Sequence, residues 1–557
     1  MNYYMNPTLS ESLLWPTGRL MSLTVNRMAE RSGSVSTWSP LRIGVFRAIW
    51  IAVLVANVGT WMQTVGAQWL LVHLPHAAIL VALVQTADFL PDVLFGLVGG
   101  ALADVFDRRR LLMVVQLTMA SVGGALTILT FVGQMPPALL LVFTFALGCS
   151  SVFTNPAYQS LVPELVPRNQ LRAASSLGSI NVNLARLIGP ALAGVLIARI
   201  GVTAVFGLNA LTYVFFAVVL VTWRPPVGSA PELPERFISA MRVGSRYVLN
   251  APVVRRILLR AALFLVPASV LWTLLPLVAT QRLGLGAAGY GLLLGALGAG
   301  AVAGALILPR FRARISANYL IGAASVIYAV VLVLIVIVPN PALAMIVLVP
   351  AGAAWIAVLS DINAELQLFL PAWVRARGLS VYQMVLFGAQ GVGAVMWGAI
   401  AEPLGVPAAF LIAAVAMVAG VASLRFWPFL ETAGMERRTM VYWPEPHLAF
   451  DAKLDSGPVV VRNTYTIASE REQPFLEAMA RVRQSRLRTG ATQWGLFRDG
   501  EVAHRFVELY VVPSWDEHLR QHRNRITGTD HEFEVRADAL SEPPPEVSHL
   551  IAVDDMP

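Results

Sequence analysis

The sequence predicts an all-α membrane protein with twelve transmembrane helices in two six-helix repeats, followed by a small α+β domain. The chain of 557 residues is 56% hydrophobic and only 13% charged. A soluble domain could not bury that much apolar surface, so a lipid bilayer must solvate most of it. Long apolar stretches fill residues 41–428, and the second half of this region repeats the pattern of the first.

Each apolar stretch is long enough to cross a bilayer, which requires about 20 predominantly apolar residues in a helix. The predicted spans lie at roughly 44–72, 78–103, 110–133, 137–160, 173–199, 202–223, 257–281, 287–309, 317–339, 341–366, 378–402 and 406–428. Several of these spans exceed the minimum length, so we expect them to tilt or to extend beyond the bilayer.

The internal repeat is visible in the loops that follow spans 2 and 8. Gly100 and Arg108 are matched 204 positions later by Gly304 and Arg312. The same offset aligns Gly189, Gly194, Gly201 and Phe206 with Gly393, Gly398, Gly405 and Phe410. Two six-helix halves with the same orientation are typical of a secondary transporter.

Arginine placement predicts the orientation of the chain. Arginine-rich loops follow spans 2, 4, 6, 8 and 10, whereas the opposite loops carry few basic residues. Basic loops stay in the cytoplasm, so both termini are predicted on the cytoplasmic side of a bacterial inner membrane. The net charge of +8 therefore reflects membrane topology, and we predict no nucleic-acid partner.

The sequence divides into six segments. They are a disordered cytoplasmic tail (1–40), a first six-helix half (41–223), a linker with an amphipathic helix at Phe237–Leu249 (224–256), a second six-helix half (257–428), a soluble α+β domain (429–540) and a disordered end (541–557). The linker helix interleaves arginines with apolar side chains, which favours a position on the inner leaflet.

The soluble domain begins where charge rises and apolar runs shorten. Strands are predicted at Gly457–Ile467, Ala491–Asp499, Glu501–Pro513 and Phe533–Arg536, and helices at Glu470–Thr489 and Trp515–Arg525. This order is the split βαβ pattern of a ferredoxin-like fold. His518 and His522 have the spacing of metal ligands, but no third ligand is evident, so we expect ordinary surface histidines. His504 and Trp494 are candidates for lining a small pocket.

The segment Gly100-x-x-x-Asp104-x-x-x-Arg108-Arg109 resembles the loop 2–3 motif of the major facilitator superfamily. With Gly59–Gln63 and the appended domain, the chain resembles the drug- and siderophore-exporting branch of transmembrane secretion effectors and enterobactin-exporter-like proteins. Ser514–His522 resembles the antibiotic-biosynthesis-monooxygenase type of dimeric α+β barrel. The resemblance implies the major facilitator fold, export, and a homodimer formed through the C-terminal domain.

The chain departs from the family pattern at two glycine positions. Asp107 stands at the internal glycine of the loop motif, and Ala185 stands at a glycine of the antiporter motif on span 5. Span 4 also lacks the arginine that many proton-coupled antiporters carry. The resemblance therefore leaves proton coupling as an expectation that needs its own evidence.

The loop motif has a mechanical interpretation that follows mostly from the resemblance. Asp104, at the cytoplasmic end of span 2, can pair with Arg108 or Arg109 and latch one half against the other in the outward-facing state. Gly100 allows close helix approach at this point. The alternative is a topology signal with solvated arginines.

Charged residues inside the membrane are functional hypotheses because burying a charge is costly. Asp92 lies 12 positions before Asp104, which in a helix corresponds to a depth of roughly 18 Å. Asp88 precedes Asp92 by one helical turn and lies further out on the same face. Asp361 lies near the inner end of span 10. We predict Asp92 as the carboxylate that binds and releases a proton, with Asp88 or Asp361 as the second choice; structural ion pairs are the alternative.

Arg186 lies at comparable depth in span 5, where it is a candidate counter-charge or a contact for an anionic substrate. Polar residues on the spans are candidates for lining a substrate cavity or, alternatively, for hydrogen bonds between helices. They are Asn57, Gln63, Gln68, Gln85, Asn155, Tyr158, Asn181 and Asn183. Trp61, Trp69, Trp272, Trp355 and Trp397 are candidates for cavity walls or for packing.

These features predict a secondary active exporter of small hydrophobic or amphipathic molecules, such as a drug, a secondary metabolite or a siderophore. Rocking of one half against the other within surrounding lipids gives alternating access, and proton uptake drives export. The sequence has no Walker motif, phosphate-binding loop or catalytic triad, so we predict no catalytic site, cofactor or metal. The alternative is a transporter regulated by, or coupled to, a ligand-sensing or monooxygenase-like C-terminal domain.

Overall fold

The computed structural model describes residues 36–223, 246–312, 314–428, 448–450 and 452–553. Within them, 12 helices are long and apolar enough to span a membrane, as predicted. They are α1 (Gly44–Leu71), α2 (Ala77–Val105), α3 (Arg108–Phe131), α4 (Pro137–Leu165), α5 (Leu171–Ile200), α6 (Val202–Thr222), α7 (Pro252–Leu277), α8 (Ala287–Arg312), α9 (Ala317–Ile337), α10 (Pro341–Phe369), α11 (Ala372–Leu404) and α12 (Val406–Ala422).

Equivalent glycines form the turns at which the last two helices of each half meet. Gly201 joins α5 to α6 with φ of 98°, and Gly405 joins α11 to α12 with φ of 83°. A side chain at either position would be strained, because L-residues rarely adopt positive φ. The repeat seen in the sequence therefore corresponds to a repeated backbone conformation.

The two halves meet mainly through α2 against α11 and α5 against α8. Gly194 on α5 and Gly291 on α8 are close enough that a Cβ built on either would lie 3.0 Å from the Cα of the other. Small residues at a helix interface allow this approach and maximise van der Waals contact within the membrane.

Contacts between the halves close one end of the helix bundle, the end that carries the loop between α1 and α2. His76 Nδ1 lies 2.6 Å from Glu402 Oε1, which joins that loop to the end of α11. Deeper along the same path, Tyr290 of α8 donates to Gln68 of α1. We call this the His76 end, and the opposite end, where the arginines of α3 and α8 lie, the arginine-rich end.

The soluble domain is a four-stranded antiparallel sheet with helices packed on it. Its elements are β1 (Val459–Thr466), α13 (Glu472–Thr489), β2 (Gln493–Arg498), β3 (Arg505–Val512), α14 (Trp515–Arg520), α15 (Gly528–Asp538) and β4 (Glu546–Ile551). The strand order is β2-β3-β1-β4. A π-helical turn, Gln521–Arg525, extends α14.

Two predictions for the end of the chain were wrong. Phe533–Arg536 lies within α15, which begins with a capping box in which Thr527 and Asp530 bond reciprocally. The last strand is β4, within the segment expected to be disordered, and it pairs with β1 from Val459↔Ile551 onward. The acidic and proline-rich composition of this segment led to the prediction of disorder. The strand forms nevertheless, because its backbone pairing does not depend on apolar side chains. Most of the predicted amphipathic helix Phe237–Leu249 lies outside the described residues.

Candidate functional site

The positively charged side chain of Arg186 lies between the two halves and packs against aromatic rings. The guanidinium carbon of Arg186, on α5, lies 5.6 Å from the ring centroid of Trp61 on α1 and 5.9 Å from that of Trp272 on α7. The two rings are 5.8 Å apart, and Trp355 of α10 lies 5.4 Å beyond Trp272. We call Trp61, Arg186, Trp272 and Trp355 the tryptophan–arginine cluster.

The cluster lies near the middle of the membrane. Arg186 precedes Ile200, the last residue of α5, by 14 positions, and Trp61 precedes Leu71, the last residue of α1, by 10. These separations correspond to about 21 Å and about 15 Å along the helices, in a hydrocarbon core about 30 Å thick. The contacts that close the His76 end therefore lie above the cluster.

The donors of the cluster lack acceptors. Arg186 Nε and the indole nitrogens of Trp272 and Trp355 are buried without a hydrogen-bond partner. Arg186 takes part in none of the described ion pairs of the membrane helices, which join His76 to Glu402, Arg108 to Glu164 and Arg312 to Asp361. Because unsatisfied buried donors are costly, the cluster is suited to receive an acceptor from outside the chain.

An acidic pair, Asp88 and Asp92, lies on α2. Asp88 lines a cavity of about 30 Å³ inside the first half, which is room for about two waters. Thr60, Gln63, Thr144, Ser151 and Tyr213 supply its polar lining. Neither carboxylate takes part in a described ion pair. Pro91 stands between them and removes one backbone donor from the helix.

Most of the predicted polar residues join helices. Asn57 donates to Asn181 (2.9 Å), and Asn181 donates to the carbonyl of Trp50, which ties α1 to α5. Gln63 accepts from Asn209 of α6 at 3.4 Å. These bonds lie within the first half and favour the alternative interpretation, hydrogen bonding between helices.

Gln85 and Asn155 differ from that group. Gln85 accepts a 3.0 Å hydrogen bond from Thr273, so it links α2 of the first half to α7 of the second. Asn155 is exposed on α4. Gln85 therefore belongs to the contact surface between the halves, while the side chain of Asn155 lies exposed on the surface of α4.

The arginines of the loop motif have partners in their own half. Arg108 pairs with Glu164 of α4, and Arg109 donates to the carbonyl oxygens of Leu220 and Val221. The surroundings of Gly100 and the side chain of Asp104 lie outside the described part of the structure. The latch therefore stays a prediction.

Asp361 has a basic partner in the second half. Its Oδ1 lies 3.0 Å from Arg312 Nε, and its side chain is only 8% exposed. A carboxylate beside a guanidinium group keeps its negative charge more readily than one without such a partner. Asp361 therefore differs from Asp88 and Asp92 in having a basic partner, a difference that the sequence did not reveal.

The family described as transmembrane secretion effector matches residues 35–556. The chain belongs to this family, which is of the major facilitator type. Its members are transporters and not enzymes, and the expected class of protein is therefore confirmed.

Curated relatives of this transmembrane secretion effector include efflux proteins. It is 24% identical over 254 residues to the staphyloferrin A transporter of Staphylococcus aureus, covering 45% of this chain and 64% of the relative. It is 24% identical to macrolide efflux protein A of Streptococcus pyogenes, covering 36% and 50%. It is 27% identical over 397 residues to the multidrug efflux pump Tap of Mycobacterium tuberculosis, covering 68% and 92%. The first two alignments span between half and two thirds of the relatives' own length.

Solved structures of similar shape share the fold of this transporter. A bacterial homologue of the lysosomal transporter Spinster, solved inward-facing and unoccupied, has a TM-score of 0.54 at 16% identity, covering 71% of this chain and 96% of that one. The nucleoside transporter NupG gives 0.57 at 11% identity, covering 69% and 100%. Similarity at this level of identity shows the fold alone.

The soluble domain of the transporter holds a buried polar network that the sequence analysis missed. Glu508, which is fully buried, accepts from Asn463 (2.6 Å), Trp494 (2.8 Å) and Arg486 (3.3 Å). Arg486 also pairs with Glu534 at 2.6 Å. Burial raises the pKa of Glu534 to about 7, against the opposing effect of Arg486. Alternating burial along β3 hinted at an inward-facing Glu508, but only the register shows its partners.

His518 and His522 are buried, contrary to our expectation of surface residues. His518 is fully buried, with its ring centroid 4.8 Å from that of His522 and 4.9 Å from that of His549 on β4. Burial lowers the pKa of His518 to about 3, and His549 and Arg486 add to this effect. No group of three or more His, Cys, Asp or Glu suited to a metal was found among the residues described.

Proposed function

We propose that this transporter exports a small amphipathic molecule in exchange for protons. The observation that carries the proposal is the placement of the acidic pair on α2, the helix that packs against α11 of the opposite half. A carboxylate without a basic partner, deep in the membrane, gains and loses a proton more readily than an ion-paired one. Protonation there can alter the contact on which the two halves move.

Two further contacts support the role of α2. Thr86, half a turn before Asp88, donates to the carbonyl of Gly391 on α11 at 3.0 Å. Phe89 packs on Phe387 of α11 with ring centroids 5.4 Å apart. The residues on either side of Asp88 therefore touch the second half, while Asp88 itself faces the cavity of the first half.

The closed His76 end supports alternating access by rocking of the two halves. In this arrangement a transported molecule reaches the tryptophan–arginine cluster from the arginine-rich end. By the charge rule that end is cytoplasmic, as are both termini, in a bacterial inner membrane. Transport toward the His76 end is then export, which agrees with the efflux activity named for the relatives.

The test is uptake into inverted membrane vesicles under an imposed pH gradient. Fluorescent hydrophobic cations, macrolides and catechol siderophores are offered to the wild type and to Asp88→Asn and Asp92→Asn. We expect gradient-driven accumulation that at least one of these variants abolishes. Asp361→Asn is the matched control, since it removes a membrane carboxylate that already has an arginine partner, and it should keep the gradient dependence.

Three outcomes decide the proposal. Accumulation that ignores both the gradient and the acidic pair contradicts proton antiport. Loss of gradient dependence in Asp361→Asn alone contradicts coupling through the acidic pair and indicates a coupling site in the second half. Accumulation of none of the compounds counts against export of this substrate class.

A second candidate role concerns the soluble domain. We assign it to the ferredoxin-like arrangement, supported by the β2-β3-β1-β4 order of its antiparallel sheet. The buried network around Glu508 and Arg486 favours a ligand-sensing site over a simple dimerisation module. Hydrogen exchange on the full chain, with and without transported compounds, tests this role. Protection confined to β1, β3 and α13 supports sensing, and protection of an exposed sheet face supports a homodimer.

A further inference from the structure

We infer that the tryptophan–arginine cluster binds a carboxylate or similar planar anionic group on an aromatic or apolar molecule. The inference rests on the proposed transport function and specifies the charge of its substrate. It depends on three features: a positive charge without a carboxylate partner, a set of donors without acceptors, and aromatic walls on both sides.

The charge balance favours an anion. Arg186 is always protonated under ordinary conditions, and a lone positive charge at this depth is costly to keep. The rings of Trp61 and Trp272 stabilise it in part, because their faces carry negative electrostatic potential. Cation–π contacts engage the face of the guanidinium, whereas its edge, which includes the unpaired Nε, is the part that binds a carboxylate through two parallel hydrogen bonds.

The donor set also favours an anion over a cation. The unpaired nitrogens at Arg186, Trp272 and Trp355 are all donors, and arginine and tryptophan side chains have no acceptor of their own. A carboxylate is a pure acceptor with two oxygens, so it can satisfy several of these donors at once. An ammonium group would face only donors and a like charge, which the site rejects.

With the His76 end closed, we take the arginine-rich end as the side from which a molecule approaches the cluster. Arg186 and Trp61 keep part of their surface exposed, whereas Trp272 and Trp355 are buried. The path from the His76 end is closed above them by the pairing of Tyr290 with Gln68. A molecule that enters from the arginine-rich end therefore meets the exposed parts of Trp61 and Arg186 at the innermost point of its path.

Binding of matched probes to the purified full-length chain tests the inference directly. The probes are 2-naphthoate and 2-naphthylmethylammonium, which share the aromatic body and differ in charge, measured by equilibrium dialysis. We expect the wild type to bind the carboxylate and Arg186→Gln to bind it about ten- to hundredfold more weakly, the usual effect of losing a charge-assisted hydrogen bond. Arg186→Lys keeps the charge but loses the planar fork, and it should give an intermediate affinity.

Arg199→Gln is the matched control, because Arg199 is exposed near the end of the same helix and lies outside the cluster. It should bind the carboxylate as the wild type does. The inference is overturned if the carboxylate does not bind, if the ammonium probe binds as well, or if Arg186→Gln keeps full affinity. Equal losses in Arg186→Gln and Arg199→Gln also overturn it.

A purely structural role for Arg186 is distinguished by the thermal stability of the unliganded chain. If Arg186→Gln has a much lower unfolding temperature and the wild type shows no preference between the probes, Arg186 only stabilises the contact between the halves. That result contradicts the inference. Vesicle uptake of the same probes separates this inference from the proposed function. If the carboxylate probe binds but shows no gradient-driven uptake, the anion site is supported and proton antiport is contradicted. If only the ammonium probe shows gradient-driven uptake, antiport is supported and the anion site is contradicted.

Discussion

Arg312 pairs with Asp361 in the second half at the position where Arg108 pairs with Glu164 in the first. The two arginines are equivalent in the repeat, and each binds a carboxylate on the fourth helix of its half, α10 or α4. The carboxylates themselves are not at equivalent positions. The arginine therefore pairs with a carboxylate in both halves, although the two carboxylates stand at different positions on the helix.

This pairing predicts the effect of breaking it. Asp361→Asn and Arg312→Gln should each lower the unfolding temperature in detergent, by an amount corresponding to about 1–3 kcal/mol, because each leaves one charge of a largely buried pair uncompensated. The double variant should be no worse than either single one. Additive losses would show that the two residues do not interact.

The close approach of Gly194 and Gly291 predicts that α5 must pack against α8 for the His76 end to close. In Gly194→Val the added methyl groups would overlap the backbone around Ala287, and we expect the closed state to lose about 1–3 kcal/mol. Cysteine labelling at the His76 end should then rise, and transport should fall. Gly178→Val on the same helix is the control, since a Cβ there has nothing within 4 Å.

The soluble domain contacts the membrane part through an aromatic residue. The guanidinium of Arg525 lies 5.1 Å from the ring centroid of Trp373, at the start of α11, and Tyr247 packs edge-on against the same ring. Trp373→Ala should weaken this contact by about 1 kcal/mol and raise hydrogen exchange around Arg525. Trp38→Ala, which removes an exposed tryptophan from the other terminus, should leave that exchange unchanged.

The buried histidines predict that acid loosens the soluble domain. His518 has a folded pKa of about 3, below the unfolded value of 6.5, so its contribution to stability is present above pH 6.5 and is lost as pH falls toward 3. Hydrogen exchange of the domain, corrected for the intrinsic pH effect, should rise over this window. His518→Phe should shift the rise to lower pH, whereas His504→Phe, at an exposed turn, should not.

Glu534 predicts the opposite trend at higher pH. Its folded pKa of about 7 exceeds the usual 4.5, so the stability it contributes is present below pH 4.5 and is lost as pH rises through 7. Glu534→Gln should reduce this loss between pH 5 and pH 8, measured by the same exchange experiment. An unchanged slope would contradict a titrating Glu534.

The sequence contained enough to predict the helices, because about 20 apolar residues in a row leave few alternatives in a bilayer. It also placed Arg186 and the tryptophans at membrane depth. It did not indicate that Trp272 meets Arg186, since that contact joins helices of different halves and depends on their rotation. Likewise, Glu164 was missed because its partner, Arg108, lies 56 positions away across a helix interface.

The last strand was missed for a related reason. A strand at the edge of a sheet is held by backbone hydrogen bonds to one neighbour, so its own side chains need show no apolar pattern. His549, on that strand, packs against the buried ring of His518, and this contact could not be recognised without the pairing of β4 with β1. The site in the membrane and the core of the soluble domain thus share one property: both depend on contacts between distant segments.

The position of β4 has a practical consequence for anyone who shortens or labels this chain. Removing residues after 545 would uncover the backbone of β1, whose free amides and carbonyls can pair with another copy. A shortened protein would then form aggregates that resemble a natural oligomer in size measurements. A fluorescent or affinity label is better carried on a spacer after residue 553, where the folded strand has ended.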